Sequence, residues 1–191
     1  LSDGIFSVAM TLLVLDIRVP ETVALHNEAD LCRALVALAP RFAMYAMSFL
    51  TLGILWVGQQ TQLHHLARGN RDLAWLHMLF LATVALLPFS TALLAGHIAF
   101  RTALLVYWLN FLMSGAFLYI AWRHAGHARL TEDGLPDDLA RAISRRIVIA
   151  QTLYALGAAL CVFSTYWSIG FIFLVQLIYA IGPTRGILSK L

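Results

Sequence analysis

The chain has 191 residues, of which 61% are hydrophobic and only 12% are charged. A soluble domain is about half apolar and about one quarter charged, so this composition excludes an ordinary soluble globule and indicates a protein embedded in lipid. The formal net charge is only +3, and the basic residues are scattered through connecting segments, which argues against nucleic acid as a partner.

Apolar segments bounded by charges are the main feature along the chain, because a spanning helix needs about 20 mostly apolar residues. Pro88 lies inside the third segment, where we expect a kink or a break. We predict an all-α polytopic membrane protein, a single domain over residues 1–191. Its six transmembrane helices are expected at about residues 4–19, 42–63, 73–98, 102–122, 147–163 and 169–181.

Three connections have a recognisable character. Residues 20–40 mix Leu31, Leu35 and Val36 with charged residues, which predicts a short amphipathic helix on the membrane surface. Residues 124–146 carry many carboxylates and arginines and are predicted to be a solvated loop. Residues 164–168 are predicted to be a polar and aromatic turn at the interface.

The basic residues predict the orientation. Most of them fall in the second and fourth connections and after the last span, and the positive-inside rule therefore places both termini in the cytoplasm. The residues on that side are Arg68, Arg71, Arg123, Arg129, Arg141, Arg145, Arg146, Arg185 and Lys190.

An aliphatic stripe runs along the first predicted helix. Val8, Leu12 and Leu15 recur at i, i+4 and i+7, with Thr11 one turn before Leu15. One interpretation is a packing seam between helices. The other is that copies of the helix surround an axis, so that these side chains form stacked apolar rings with a ring of hydroxyls among them.

Two carboxylates, Asp3 and Asp16, lie at the ends of this helix. Ionisable groups at membrane depth are costly, so they face a partner or a water-filled path. Asp3 is alternatively an N-cap, whose carboxylate accepts hydrogen bonds from the free amides of the first turn.

Several runs of residues carry a family resemblance. The run 2–4, the run 11–16, Trp56, and the Pro-Phe-Ser-Thr run at 88–91 resemble the first three helices of bacterial relatives of the endosomal and lysosomal potassium channel, the transmembrane protein 175 family. The resemblance implies a homotetramer whose first helices line a potassium-preferring pore. It also implies that Val8, Leu12 and Leu15 form the constriction and that Thr11 lies beside it.

The chain departs from that family pattern at three positions. Leu1 stands where the family has phenylalanine, Gln59 where it has histidine and His77 where it has asparagine. In the family such polar groups tie the cytoplasmic ends of helices one to three together. We hypothesise that Ser2, Asp3, Gln59 and His77 form an altered version of that tie.

The expected function is therefore conduction of monovalent cations, K⁺ preferred, by a multi-pass protein of the cell membrane, with no cofactor, no metal site and no enzymatic activity. The partners are the bilayer and further copies of the chain. One alternative is a small secondary transporter with a midplane site near the Pro88 break. Another is a haem or metal oxidoreductase that uses the histidine pairs 64–65 and 124/127, although no carboxylate or cysteine lies at ligand spacing.

Overall fold

A computed structural model describes residues 1–18, 27–132 and 134–181. Within these ranges the regular structure is entirely α-helical apart from one 3-10 turn at Leu160–Val162, and the only β pairing is an isolated antiparallel bridge between Leu66 and Thr131. The helices are α1 Ser2–Val14, α2 Glu28–Ala37, α3 Ala39–His64, α4 Arg71–Gly96, α5 Arg101–His127, α6 Asp137–Ala159 and α7 Thr165–Ile181.

Four helical segments are long and apolar enough to cross a membrane by length and composition. They are α3 and α4 with 26 residues each, α5 with 27, and α6 with its continuation to Val162. The helices α1 and α7 are apolar but shorter, with 13 and 17 residues. The chain is therefore a membrane protein, and the count of six spans stays a prediction.

One cluster of buried apolar side chains draws on every helix except α2. The helix α2 buries none of its residues, and its N-terminus is capped by Asn27, whose side chain accepts from the amide of Asp30. The predicted amphipathic segment therefore does form a helix over residues 28–37. Members of the shared core include Phe6 of α1, Met47 of α3, Phe80 of α4, Leu104 of α5, Tyr154 of α6 and Ile172 of α7.

A kink or a break was predicted at Pro88, and α4 does not break there, because it is one continuous helix from Arg71 to Gly96. The kink stays a prediction. Asn110 of α5 bonds to backbone groups of the turn that precedes the proline. With its amide oriented to satisfy its neighbours, Asn110 donates to the Thr83 carbonyl at 3.0 Å and accepts from the Leu87 amide at 3.2 Å. A side chain from the adjacent helix thus supplies the partners of the turn before the proline.

The predicted solvated loop at 124–146 is too long at both ends. The helix α5 continues to His127, and α6 begins at Asp137 after Pro136 as its N-cap residue. Asp137 and Asp138 lie in the first turn of α6, where negative charge is favourable, and Arg141 donates to Asp138 at 2.6 Å one turn later. These turns are helical but polar, so hydropathy does not detect them.

Two further boundaries differ from the prediction. The helix α1 ends at Val14, because Leu15 and Ile17 form tighter bonds to carbonyls three residues back. The predicted turn at 164–168 is mostly helix, because α7 begins at Thr165. Parts of three predictions lie outside the described residues. They are the predicted end of the first helix at Val19, the first part of the predicted surface segment at 20–26, and the C-terminal basic residues Arg185 and Lys190.

The helices α6 and α7 are in close contact at Gly157. The Ser168 hydroxyl donates to the Gly157 carbonyl, and a Cβ at this position would lie 2.8 Å from Cγ1 of Ile172 and 3.0 Å from Cδ1 of Phe171. The absence of a side chain therefore lets the two helices approach.

Gly157→Ala is expected to lower the free energy of unfolding by about 1–3 kcal/mol, since the added methyl overpacks this contact. Thermal unfolding in detergent measures the change. Gly170→Ala is the matched control, because a Cβ at Gly170 meets nothing within 4 Å. That control is expected to be neutral or stabilising by a few tenths of a kcal/mol, since alanine favours helix. Equal Tm values for the two variants would contradict the close contact.

Candidate functional site

The helix α1 has one face that packs into the core. Phe6, Ala9 and Leu13 are each only 2% exposed, and the Phe6 ring lies 6.1 Å from the Phe80 ring of α4, centroid to centroid. Spacings of three and four residues put these side chains on one side of the helix. This face fixes how α1 is rotated about its own axis.

The aliphatic stripe lies on the other face and is not buried by the rest of the chain. Val8 is 57% exposed, Leu12 44% and Leu15 70%. A packing seam inside the protomer is therefore wrong for this stripe, because a seam would bury it. The three side chains are free to contact lipid, water or another copy of the chain.

Thr11 is exposed on the same face. Its hydroxyl donates to the Val8 carbonyl at 2.8 Å. Because the hydroxyl proton is used inside the helix, the lone pairs of the oxygen are directed to the surroundings. Thr11 can therefore act as a neutral oxygen ligand beside the apolar side chains.

Hydrogen bonds to α3 hold the start of α1. The Ser2 hydroxyl donates to Oε1 of Gln59. Asp3 accepts through Oδ1 from Nε1 of Trp56 at 2.9 Å and from Nε2 of Gln60 at 3.0 Å. The N-cap interpretation of Asp3 is wrong, because Leu1 occupies that position and makes no side-chain cap. The carboxylate instead ties two helices together.

His77 is not part of this set of contacts. Its Nδ1 bonds to the Leu73 carbonyl of its own helix at 3.0 Å, and its Nε2 is buried with no hydrogen-bond partner in the described parts of the chain. Of the four residues in the hypothesised tie, the structure thus joins Ser2 of α1 to Gln59 of α3 and leaves His77 apart. Asp3 of α1 also bonds to α3, but through Trp56 and Gln60. Sequence reasoning missed Gln60, although its i+4 spacing from Trp56 puts both donors on one face of α3.

A second polar cluster, also missed from the sequence, links α3, α4, α5 and α7 in the core. The Thr91 hydroxyl donates to that of Ser48 at 2.8 Å, the Tyr107 hydroxyl lies 2.9 Å from that of Thr51, and Nε2 of Gln176 donates to Thr51 at 2.6 Å. All five side chains are buried. Hydrogen bonds between helices compensate for burying polar groups in an apolar environment, so this cluster stabilises the scaffold around α1.

Trp56→Phe is expected to lower the Tm by a few degrees, because it removes one charge-assisted hydrogen bond to Asp3 worth about 1 kcal/mol at this half-exposed site. Differential scanning fluorimetry in detergent gives the shift. Trp75→Phe is the matched control, since Trp75 is exposed and makes no hydrogen bond within the described ranges. A larger loss of Tm from Trp75→Phe would contradict a role for Trp56 in holding α1.

Comparison with known proteins identifies the family. Residues 1–88 match the family model described as endosomal/lysosomal potassium channel TMEM175. A potassium channel of Streptomyces collinus is 34% identical over 96% of this chain and 92% of its own length. The chain belongs to the TMEM175 family. The resemblance noted in the first three helices is thereby confirmed, and it extends over nearly the whole chain.

Two further TMEM175 proteins place the chain within the family. The crystal structure of a lysosomal potassium-selective channel TMEM175 homolog from Chamaesiphon minutus superposes with a TM-score of 0.83 at 29% identity, covering 96% of this chain and 95% of that one. The human endosomal/lysosomal proton channel TMEM175 is 37% identical over 92 residues, which is 46% of this chain and 18% of the human protein. The chain thus shares the all-helical fold of a channel family of membranes.

Proposed function

We propose that the chain is one subunit of a homotetrameric, potassium-preferring cation channel of the cell membrane, with α1 of each subunit lining the pore. The observation that carries the proposal is the orientation of α1. Its buried face and its polar contacts to α3 fix the helix, and the aliphatic stripe of Val8, Leu12 and Leu15 is left exposed. Four such stripes around an axis form a narrow apolar passage.

The mechanism follows from hydration. A hydrated K⁺ ion sheds water to pass rings of aliphatic side chains, and in the closed state those rings are dry and block flow. Opening tilts or rotates α1 so that the passage widens and water enters. The Thr11 oxygens replace part of the lost hydration, so selectivity rests on partial dehydration, with no cofactor and no resident metal.

The transporter alternative has lost its structural basis. It depended on a broken helix at Pro88 that exposes backbone groups to a substrate, and α4 is continuous there. Beside the proline, the side-chain oxygen of Asn110 accepts from the Ser90 hydroxyl at 3.1 Å, and both side chains are buried.

A bilayer measurement tests the channel directly. The purified protein is reconstituted in a planar bilayer with K⁺ on one side and Na⁺ on the other, and the reversal potential is measured together with single-channel current. We expect discrete current steps and a reversal potential shifted toward the K⁺ equilibrium value. Slow, saturable flux without steps would support a transporter and contradict the proposal.

A further inference from the structure

Three arginines lie close together near the start of α6. Arg141, Arg145 and Arg146 are all exposed and fall within six residues of sequence. The Trp122 indole of α5 donates to the Ala140 carbonyl at 3.1 Å, which holds this part of α6 against the neighbouring helix. The arginines therefore project from a stretch of backbone that is fixed in position.

Only one of these three arginines pairs with a carboxylate. Arg141 donates to Asp138 at 2.6 Å. Arg145 and Arg146 take part in none of the ion pairs found over the described ranges. Arg146 instead lies against α7, with its guanidinium carbon 6.0 Å from the centroid of the Tyr179 ring. A ring contact uses the charge but none of the N–H donors, so both guanidinium groups remain able to bind an anion.

The length of α6 places these arginines near the edge of the hydrocarbon layer. The helix and its continuation run from Asp137 to Val162, which is 26 residues. That corresponds to about 39 Å of helix, whereas the hydrocarbon layer is about 30 Å thick. The first six or so residues therefore extend beyond the layer, and Arg145 lies within about one turn of its edge. Lipid phosphates are found at this level.

The exposed face of α6 continues from the arginines into apolar surface. Val148 is 49% exposed and Leu156 is 56% exposed. Both lie on the same side of the helix as Arg145, because they follow it by three and eleven residues. A phospholipid along this face would place its acyl chain against the aliphatic side chains and its phosphate against the guanidinium groups.

Positive charge exceeds negative charge at this end of α6 and α7. Asp138 is paired, which leaves Asp137 as the other carboxylate of the first turn of α6. The helix α7 contains no Asp or Glu. The chain that follows it, residues 182–191, has Arg185 and Lys190 and also no acidic residue. Clusters of basic residues beside a spanning helix attract negatively charged lipid.

We propose that the start of α6 binds an anionic phospholipid, of the glycerol type, with its phosphate against Arg145 and Arg146 and an acyl chain along Val148 and Leu156. Planar guanidinium groups match phosphate oxygens in geometry as well as in charge. Ethanolamine and choline lipids carry the same phosphate, but their ammonium group cancels its charge, so they are held more weakly. The surface does not involve the α1 stripe, and the proposal does not depend on conduction.

Native mass spectrometry of the purified, delipidated full chain tests this binding with glycerol, ethanolamine and choline phospholipids of identical acyl chains. We expect the glycerol lipid to be retained at least about fivefold more than the other two, the factor for attraction by one basic residue. Equal retention of the glycerol and ethanolamine lipids would show that charge does not decide, and would overturn the proposal. Displacement of the glycerol lipid by millimolar inorganic phosphate would also overturn it, because a free anion would then suffice.

Two double variants separate this surface from overall charge. Arg145→Gln with Arg146→Gln is expected to lower retention of the glycerol lipid to the level of the ethanolamine and choline lipids. Arg68→Gln with Arg71→Gln is the matched control, because both residues are exposed and the net charge changes by the same amount. They lie at the same end of the bundle, where a backbone bridge joins their connection to the segment before α6. Equal loss in the control would refute the surface.

A conservative variant tests whether charge is what binds the lipid. Arg145→Lys with Arg146→Lys keeps both charges, and its retention of the glycerol lipid is expected to stay closer to the wild type than to the glutamine variant. Thermal unfolding in detergent checks that the variants remain folded, since exposed substitutions should leave the Tm within about 1–2 °C. Equal loss of lipid from the lysine and glutamine variants would contradict the proposal.

Discussion

Leu12→Asn is expected to raise the resting cation current of the reconstituted protein about tenfold, which corresponds to lowering the barrier by ~1.4 kcal/mol. Leu12 lies at the centre of the exposed stripe on α1. An amide at this position would give water and ions polar partners where the native chain offers only methyl groups, so the dry state of the passage is lost. The measurement is macroscopic current across a planar bilayer at a fixed amount of protein.

Val14→Asn is the matched control for this prediction. Val14 is on the same helix and 48% exposed, similar to Leu12 at 44%, but it lies off the stripe. The Val14→Asn variant carries the same amide as Leu12→Asn, and the resting current of this variant is expected to stay near the wild-type level. Equal currents for both variants would mean that the stripe does not line the conduction path.

Phe6→Ala is expected to lower the free energy of unfolding by about 2 kcal/mol, through the cavity that the lost ring leaves beside Phe80. The loss is smaller than for a soluble core, because lipid solvates a phenyl ring as well as the protein interior does. In this size of protein the change corresponds to a fall in Tm of about 5 °C. Thermal unfolding in detergent measures it.

The matched control is Phe49→Ala on α3, where the same ring is deleted from a side chain that is 42% exposed. It should leave the Tm within about 1–2 °C of the wild type.

Leu12→Asn should likewise leave the Tm of the subunit unchanged. Substitutions on the buried face of α1 are thus expected to change stability, and substitutions on its exposed stripe are expected to change conduction. A fall in Tm from Leu12→Asn as large as that from Phe6→Ala would contradict this separation.

Apolar length and charged boundaries were sufficient to predict where the long helices lie. They failed for the first turns of α6, where Asp138 and Arg141 form a helical ion pair on a polar segment. Hydropathy indicates which residues enter lipid. It cannot detect the polar turns of a helix that extends beyond the apolar layer of the membrane. The continuity of α4 at Pro88 was not predictable from the local sequence either, because Asn110, which bonds to the turn before the proline, lies on another helix.

The site was predicted only in part for a related reason. The i, i+4, i+7 spacing identifies the stripe on α1 but not its environment, because the rotation of the helix is set by the contacts of Phe6 with α4. Likewise, the sequence marks Asp3 as a costly carboxylate, but its partners Trp56 and Gln60 depend on how α3 lies beside α1. Comparison with the family pattern placed His77 in the tie, whereas in the structure its Nδ1 bonds to the Leu73 carbonyl of the same helix.

The spacing of the stripe also fixes the extent of the proposed narrow zone along the membrane normal. Seven residues separate Val8 from Leu15, which is about 10 Å of helix, one third of a hydrocarbon layer of about 30 Å. Most of the transmembrane voltage would fall across this short stretch, since wider aqueous vestibules above and below conduct freely. The local electric field on an ion beside Leu12 would then be about three times that of a uniform membrane.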